Sequence, residues 1–385
     1  MRRAGAMGHA AAGGRGRVGL ARALLLALVL AAGRALPARA QEAAPIRVLV
    51  RVLTAGERMP LGYSVVEVPA LGIERLTGAG GTTSLAFAAA GPQRFRVKRL
   101  GYLPKDTTVT LTDAPSQVLE VVLARASFRL DAVRVVGWPP CRRPGLREAD
   151  AQVRGVVEQL RQNAERYRLL TRAYPFFYTM EREFGARATD GSYIADSRSV
   201  TAVSGTPDWT YRPGTLIART GGAGMPAEWV MRIPSIRDLA EDAFIDNHCF
   251  HVAGLEEHEG ARLLRVDIIA AERLRGVDVN VVAWLDPRDF QLRHATFTLT
   301  KPPPQVRGLL YSTTKATYRE VLPFVPVLQE LLAENTVQQG RARTETRVLI
   351  ERQRIQALRY TGARPDSLLA DTLRRDSLPP PARPR

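Results

Sequence analysis

The chain has 385 residues, 45% hydrophobic, 6% aromatic and 24% charged, a globular balance that excludes collagen, a long coiled coil and wholesale disorder. Its formal charge of +17 sits largely at the ends: residues 1–40 carry seven Arg and no acid, and residues 341–385 carry eleven Arg against five acids. About +4 is left for residues 41–340, too little for a phosphate-tracking surface, so nucleic acid is not expected as a partner.

Arg2, Arg3, Arg15, Arg17 and Arg22 precede an apolar run over residues 23–32, and Leu36-Pro37-Ala38-Arg39-Ala40 closes it. A basic lead, a short apolar stretch and a small-x-small end describe a secretory signal peptide over residues 1–40, with translation starting at Met1 or Met7. The apolar run is shorter than the roughly 20 helical residues a bilayer requires. No Cys at the cleavage site supports a lipid anchor. The expected locations are therefore the periplasm, the outer-membrane surface or the exterior.

An exported chain with two cysteines invites a disulfide between Cys141 and Cys249. Two other readings stay open: a pair of free buried thiols, or a metal site using Cys249 with His248 and His251. On a strand, Cys249 and His251 would share a face with His248 opposite, which gives two ligands where structural zinc takes four.

From Ile46 the apolar residues Ile46, Val48, Val50 and Val52 alternate with Arg47 and Arg51, the period of a half-buried strand. Further strands are expected at 63–68, at 84–88, around Phe95 and Val97, at 107–111 and at 118–123. A Gly-rich loop at 77–83 and a turn at 113–116 separate them. Six or seven short strands in some 80 residues predict a small antiparallel β-sandwich over 45–124. This order, with Gly91-Pro92 leading to Arg99-Leu100-Gly101-Tyr102-Leu103-Pro104, resembles the carboxypeptidase regulatory-like domain, a transthyretin-like sandwich of exported bacterial proteins. Arg99, Gly101, Tyr102 and Pro104 carry most of the match, while Gly78-Ala79-Gly80-Gly81 replaces the family's usual Asp and Gly in the third-strand turn. The resemblance covers about a fifth of the chain and implies a non-catalytic folding or interaction module.

Residues 125–147 form a connector, with Leu130-Asp131-Ala132-Val133-Arg134-Val135-Val136 resembling a trailing strand and Gly137-Trp138-Pro139-Pro140 breaking the chain. Val153, Val156, Val157, Leu160, Ala164 and Tyr167 then recur at helical spacing, so an amphipathic helix is expected over 148–174, its apolar stripe a core face. Residues 175–358 read as a larger antiparallel β-rich domain, with strands at 176–184, 193–202, 263–269, 277–285, 292–300, 309–320 and 346–355. Ser235 and Asp238 cap a short helix at 236–243. The segment 325–334 stays open between helix and strand, because Pro323 and Pro326 favour extended chain. The cadence of residues 250–300, including Trp284-Leu285-Asp286-Pro287, resembles the strand, Asp-turn, strand units of periplasmic half-barrels that carry lipoproteins or lipids. Residues 359–385 are an Arg- and Pro-rich tail expected to be disordered, with Arg available to an anionic membrane. The predicted fold is thus mainly β: a small sandwich, a helix, and a larger sheet that resembles a half-barrel.

Short catalytic motifs are missing. None of His248, His251, His258 or His294 begins a His-x-x-Glu, and His258-Glu259-Gly260-Ala261-Arg262 fails His-Glu-x-x-His, so a metallocarboxypeptidase centre is not expected. Glu256, Glu257, His258 and Glu259 read as a solvated acidic turn, and His294 as a lone structural histidine. Ser312-Thr313-Thr314-Lys315 has Ser-x-x-Lys spacing, but the flanking residues favour a strand, on which the two would face apart. Gly221-Gly222-Ala223-Gly224 lacks the Lys and helix of a phosphate cradle. Trp209, Tyr211, Trp229, Trp284 and Phe176-Phe177-Tyr178 could fill a core or line a groove. The sequence predicts a non-catalytic exported protein, without metal or cofactor, that binds a partner protein or an apolar ligand in the cell envelope. The alternatives are an envelope hydrolase with residues from distant loops and an assembly factor docking through a sheet edge.

Overall fold

In a computed structural model, residues 45–128, 139–173, 177–188, 190–204, 209–220, 228–322, 324–339 and 343–354 are described. The signal peptide at 1–40, the strand trailing the sandwich, Phe176, Gly221–Gly224 and the tail lie outside them.

Seven strands precede the helix: β1 (Ile46–Thr54), β2 (Val65–Val68), β3 (Ile73–Leu76), β4 (Thr82–Phe87), β5 (Gly91–Lys98), β6 (Lys105–Leu111) and β7 (Ser116–Leu123). They form two sheets, ordered β4-β1-β7 and β3-β2-β5-β6. Val48, Val50 and Val52 of β1 meet Phe95 and Val97 of β5 between them, all fully buried, as the alternation predicts. Two features differ from the sequence reading. The β1 and β7 strands pair in parallel, so the sandwich is not wholly antiparallel. Residues 73–76 form a strand that their mixed Ile-Glu-Arg-Leu pattern concealed. Gly81 is held by its surroundings: its φ is +71°, and a Cβ there would lie 2.7 Å from the Val52 carbonyl oxygen and 2.8 Å from the Leu61 nitrogen.

Helix α1 (Ala151–Ala173) starts where Asp150 Oδ1 accepts the Val153 amide at 2.7 Å, an N-cap, and ends just ahead of Pro175. Val153, Val156, Val157, Leu160 and Ala164 are buried as expected, each larger side chain contributing about 1.5–3 kcal/mol. A second buried face is polar: Gln159, Gln162, Asn163 and Arg166 are all 2% exposed or less. The helix is therefore packed on two sides, against the large sheet and against the sandwich. Periodicity marks only the apolar stripe.

The strands that follow are β8 (Phe177–Arg187), β9 (Tyr193–Ser204), β10 (Ile217–Thr220), β11 (Glu228–Met231), β12 (His248–His258), β13 (Ala261–Ala270), β14 (Val279–Leu285), β15 (Leu292–Leu299), β16 (Leu309–Leu322), β17 (Val325–Gln339) and β18 (Arg343–Arg354). Nine of them make one antiparallel sheet, ordered β12-β13-β14-β15-β16-β17-β18-β8-β9, open rather than closed into a barrel; β10 and β11 form a separate hairpin. The segment left open at 325–334 is the start of β17, in line with Pro326. The helix expected at 236–243 is instead two short pieces, a 3-10 turn at Asp238–Ala240 and a helical turn at Asp242–Ile245, because Glu241 between them is extended. Ser235 does pair with Asp238: its hydroxyl and amide both donate to Asp238 Oδ2, at 2.7 and 2.8 Å.

Cys141 and Cys249 form a disulfide with a Cα–Cα separation of 5.6 Å, which removes the free-thiol and metal readings. His248 is fully buried instead, its ring nitrogens 2.7 Å from the Phe244 carbonyl oxygen and 3.1 Å from that of Val279. Among the described residues, no helix is long and apolar enough to cross a membrane.

Candidate functional site

The pairing register traces one row of side chains across all nine strands of the large sheet: Phe250, Ile268, Val281, Phe297, Thr314, Ala333, Leu349, Phe184 and Ser197. Paired residues share a face, and the first four belong to the core sealed by α1, so this is the inner face. Burial decays along the row. Phe250 through Ala333 are 6% exposed or less, Leu349 is half-buried, and Phe184 is 44% exposed. Beyond the buried Ala333 the sheet thus continues as a less covered surface whose middle line is Leu349 and Phe184. Strands about 4.8 Å apart give the row from β16 to β9 a length of roughly 19 Å.

The flanking rows differ in character. On one side run Leu331, Glu351 and Arg182, with Arg182 Nε donating to Glu351 at 2.9 Å; on the other run Asn335, Arg347, Ala186 and Ile194, the last 56% exposed. The apolar line thus runs between margins that mix Arg182, Glu351, Asn335 and Arg347 with Leu331, Ala186 and Ile194. The opposite face of the same strands is a ladder of ion pairs, with Arg187 to Glu334 at 2.6 Å, Arg352 to Glu330 at 2.8 Å and Arg198 to Glu181 at 2.5 Å. That face also carries Leu332, Val348 and Ile350, so the two sides differ in their ion pairs rather than in apolar content. Gly185 lets β9 bulge here: a Cβ would lie 2.1 Å from the Ile194 carbonyl oxygen.

The β10–β11 hairpin approaches the inner face over β16, where Ser312 Oγ donates to Met231 Sδ at 3.4 Å. Thr314 Oγ1 is buried beside it with no hydrogen-bond partner among the described residues. Trp229, on the same hairpin, is 46% exposed. A cleft of about 310 Å³ opens at the neighbouring strand ends, lined by Leu299, Lys301, Leu309, Leu310, Tyr311 and Ser312 among others. A second cleft, of about 300 Å³ beside α1, is polar and closed across by an Arg161 to Asp242 pair at 2.6 Å.

The sequence-derived candidates separate in space. Ser312 and Lys315 occupy opposite faces of β16, one buried and one exposed, and form no catalytic pair. The aromatic set does not converge. Tyr211 is buried in the core, donating to Asp278 Oδ2 at 2.7 Å, and burial raises its hydroxyl pKa; Trp209 packs beside that core, Trp284 lies on the outer face, and Trp229 faces solvent. Arg99, Gly101 and Tyr102 act at the junction with α1. Gln159 Oε1 accepts the Gly101 amide at 2.9 Å and its Nε2 donates to the Tyr102 carbonyl at 3.1 Å, while the Arg99 guanidinium lies 3.8 Å over the Phe324 ring. Pro104 is half-buried at the entry to β6. Lys98 extends the junction, its Nζ 2.5 Å from both Glu67 and Glu165.

Glu256, Glu257 and Glu259 are exposed, as a solvated acidic turn requires, but His294 is not a lone histidine. His258 and Glu259 end the β12–β13 hairpin beside His294 of β15 on the outer face. The His258 ring stacks on Trp284 at 3.8 Å, and Glu259 lies 3.3 Å from His294 Nδ1. Burial lowers the pKa of both histidines. The signal was present in the register, since Trp284 pairs directly with His294, but 36 residues separate the two histidines in sequence.

No protein-family model matches the chain, and no curated protein matches it. Solved structures do align with parts of it. A Vibrio parahaemolyticus domain named for outer-membrane lipoprotein sorting is 14% identical, covering 56% of this chain and 99% of its own at a TM-score of 0.29. A LolA superfamily protein from Nitrosomonas europaea is 12% identical over 55% of this chain and 96% of its own, at 0.28. A DUF1329 family protein from Desulfovibrio piger is 11% identical over 55% and 95%, at 0.29. Scores this low carry no argument about this chain, and its function rests on the site itself.

Proposed function

We propose that the chain is a non-catalytic exported envelope protein that holds an apolar ligand of acyl-chain shape along the inner face of β17, β18, β8 and β9. The observation that carries this reading is the single apolar row Ala333, Leu349 and Phe184, leaving the α1-sealed core between margins that contain Arg182 and Arg347. The apolar part of the row, about 10 Å across the three strands that carry Ala333, Leu349 and Phe184, suits a stretch of extended hydrocarbon, and the marginal guanidinium groups suit an acidic headgroup. In this reading residues 1–40 are the export signal, 45–124 a non-catalytic module of the carboxypeptidase regulatory-like kind, 125–147 a connector, 148–174 the helix that joins the units, 175–358 the ligand-carrying sheet and 359–385 a tail. The location that follows is the periplasm or the envelope surface. Native mass spectrometry of the full chain purified from an envelope fraction tests it. The expected result is a bound lipid or fatty acid released on denaturation; a chain that carries none and takes up none from phospholipid vesicles would overturn it.

A further inference from the structure

On the outer face of the large sheet, away from the apolar row, three potential metal-ligating side chains meet. His258 and Glu259 come from the β12–β13 hairpin, and His294 comes from β15, two strands away in the sheet order from β13. One ligand atom from each lies within 4.8 Å of the other two. Glu259 Oε2 is 3.3 Å from His294 Nδ1, and Glu259 Oε1 is 3.9 Å from His258 Nε2. We infer that His258, Glu259 and His294 form a binding site for one divalent transition-metal ion of the zinc class.

The geometry is that of the ion. Tetrahedral bonds of about 2.0–2.1 Å place neighbouring donor atoms about 3.4 Å apart; the Glu259–His294 pair already has this spacing, the Glu259–His258 pair is somewhat wider at 3.9 Å through the other carboxylate oxygen, and the two imidazoles offer nitrogens within 4.8 Å of each other. The Glu259 side chain is 53% exposed and can swing to close the remainder. Imidazole nitrogens with one carboxylate suit zinc, nickel or copper over magnesium or calcium, which take oxygen. The support behind the ligands fits as well. Trp284 backs the His258 ring at 3.8 Å with an interplanar angle of 8°, and the hairpin turn is fixed by Glu259 at φ +49° followed by Gly260 at φ +79°. Three protein ligands leave a coordination position for water. Because β12 is an edge strand of the sheet, a metal here clamps the hairpin end of β12 and β13 onto β15.

The test is titration of the tag-free, chelator-treated full chain with Zn²⁺, followed by calorimetry and by the melting temperature. The expected result is one ion per chain with micromolar affinity and a melting temperature raised by several degrees. His294→Ala and Glu259→Gln should each weaken binding at least tenfold while the far-ultraviolet dichroism stays native. Ni²⁺ should also quench tryptophan emission, through Trp284, in the wild type and not in His294→Ala. Failure to bind zinc at 100 times the chain concentration, or equal binding by a natively folded His258→Gln/His294→Gln double variant, would overturn the site. Neither result bears on the apolar row of the other face.

Discussion

Arg166 offers a quantitative check on the packing between the two units. Its side chain is fully buried, all three guanidinium nitrogens lack a hydrogen-bond partner among the described residues, and the Phe324 ring lies 5.7 Å away. Burial, aided by the neighbouring Arg99 charge, pushes its pKa from 12.5 down to about 9. At about 1.4 kcal/mol per factor of ten, that drop disfavours the charged form by roughly 5 kcal/mol at neutral pH. Arg166→Met removes the charge and keeps an unbranched apolar side chain in its place, at the loss of about 1 kcal/mol of contact with Phe324. A net gain of about 2–4 kcal/mol is expected, within the range seen when buried charges are replaced by apolar residues. Urea unfolding at pH 7 with equal denaturant slopes measures it. The sign with pH follows from the lowered pKa: the unfolded chain binds the Arg166 proton more tightly, so this penalty is complete below pH 9 and fades as pH rises from 9 towards 12.5. The advantage of Arg166→Met should accordingly shrink above pH 9. A variant no more stable than the wild type would refute the reasoning, because it would mean the guanidinium has a compensating partner.

Other expectations follow from single contacts. The Cys141–Cys249 bridge spans 108 residues, so Cys141→Ser/Cys249→Ser should lower stability by about 4.7 kcal/mol on the chain-entropy account, read by denaturant unfolding with and without reductant; a loss below 1 kcal/mol would contradict it. Gln159→Ala leaves the Gly101 amide and the Tyr102 carbonyl facing α1 without their partner and should cost about 2–4 kcal/mol. Faster proteolysis of the 125–147 connector would accompany that loss, and unchanged stability would remove Gln159 as the joint. Gly185→Ala drives a Cβ against the Ile194 carbonyl and should open the β8–β9 edge, seen as faster amide exchange in β9 with β13 and β14 unchanged.

Local pattern made much of the fold legible. The alternation in β1 and β5, the helical spacing of α1 and the two cysteines each act over a few residues or carry a chemistry of their own. What escaped depends on partners distant in sequence. The Gln159, Asn163 and Arg166 face of α1 resembles a solvated surface until the sandwich and the β14–β15 turn cover it. Asn163, for instance, donates to the Phe290 carbonyl at 2.9 Å and accepts the Leu292 amide at 3.1 Å, across more than 120 residues. Pro326 favoured extended chain at the start of β17, but the strand's length is supported only by its pairing with β16 and β18. The apolar row was hidden for the same reason: Ala333, Leu349 and Phe184 come from three strands, one of them far upstream, and register alone aligns them. Aromatic content pointed instead to Trp209 and Tyr211, at the core beneath α1, and to Trp284, on the other face of the sheet.

The most direct test of the ligand-carrying face is titration of a fluorescent long-chain fatty acid into the delipidated full chain, comparing wild type with Phe184→Glu, at a position already 44% exposed, and with Val200→Glu on the opposite face of the same sheet edge. Saturable one-to-one binding, weakened at least tenfold by Phe184→Glu and unaffected by Val200→Glu, is the predicted result. Equal affinity in all three proteins, or no binding by the wild type, would contradict it.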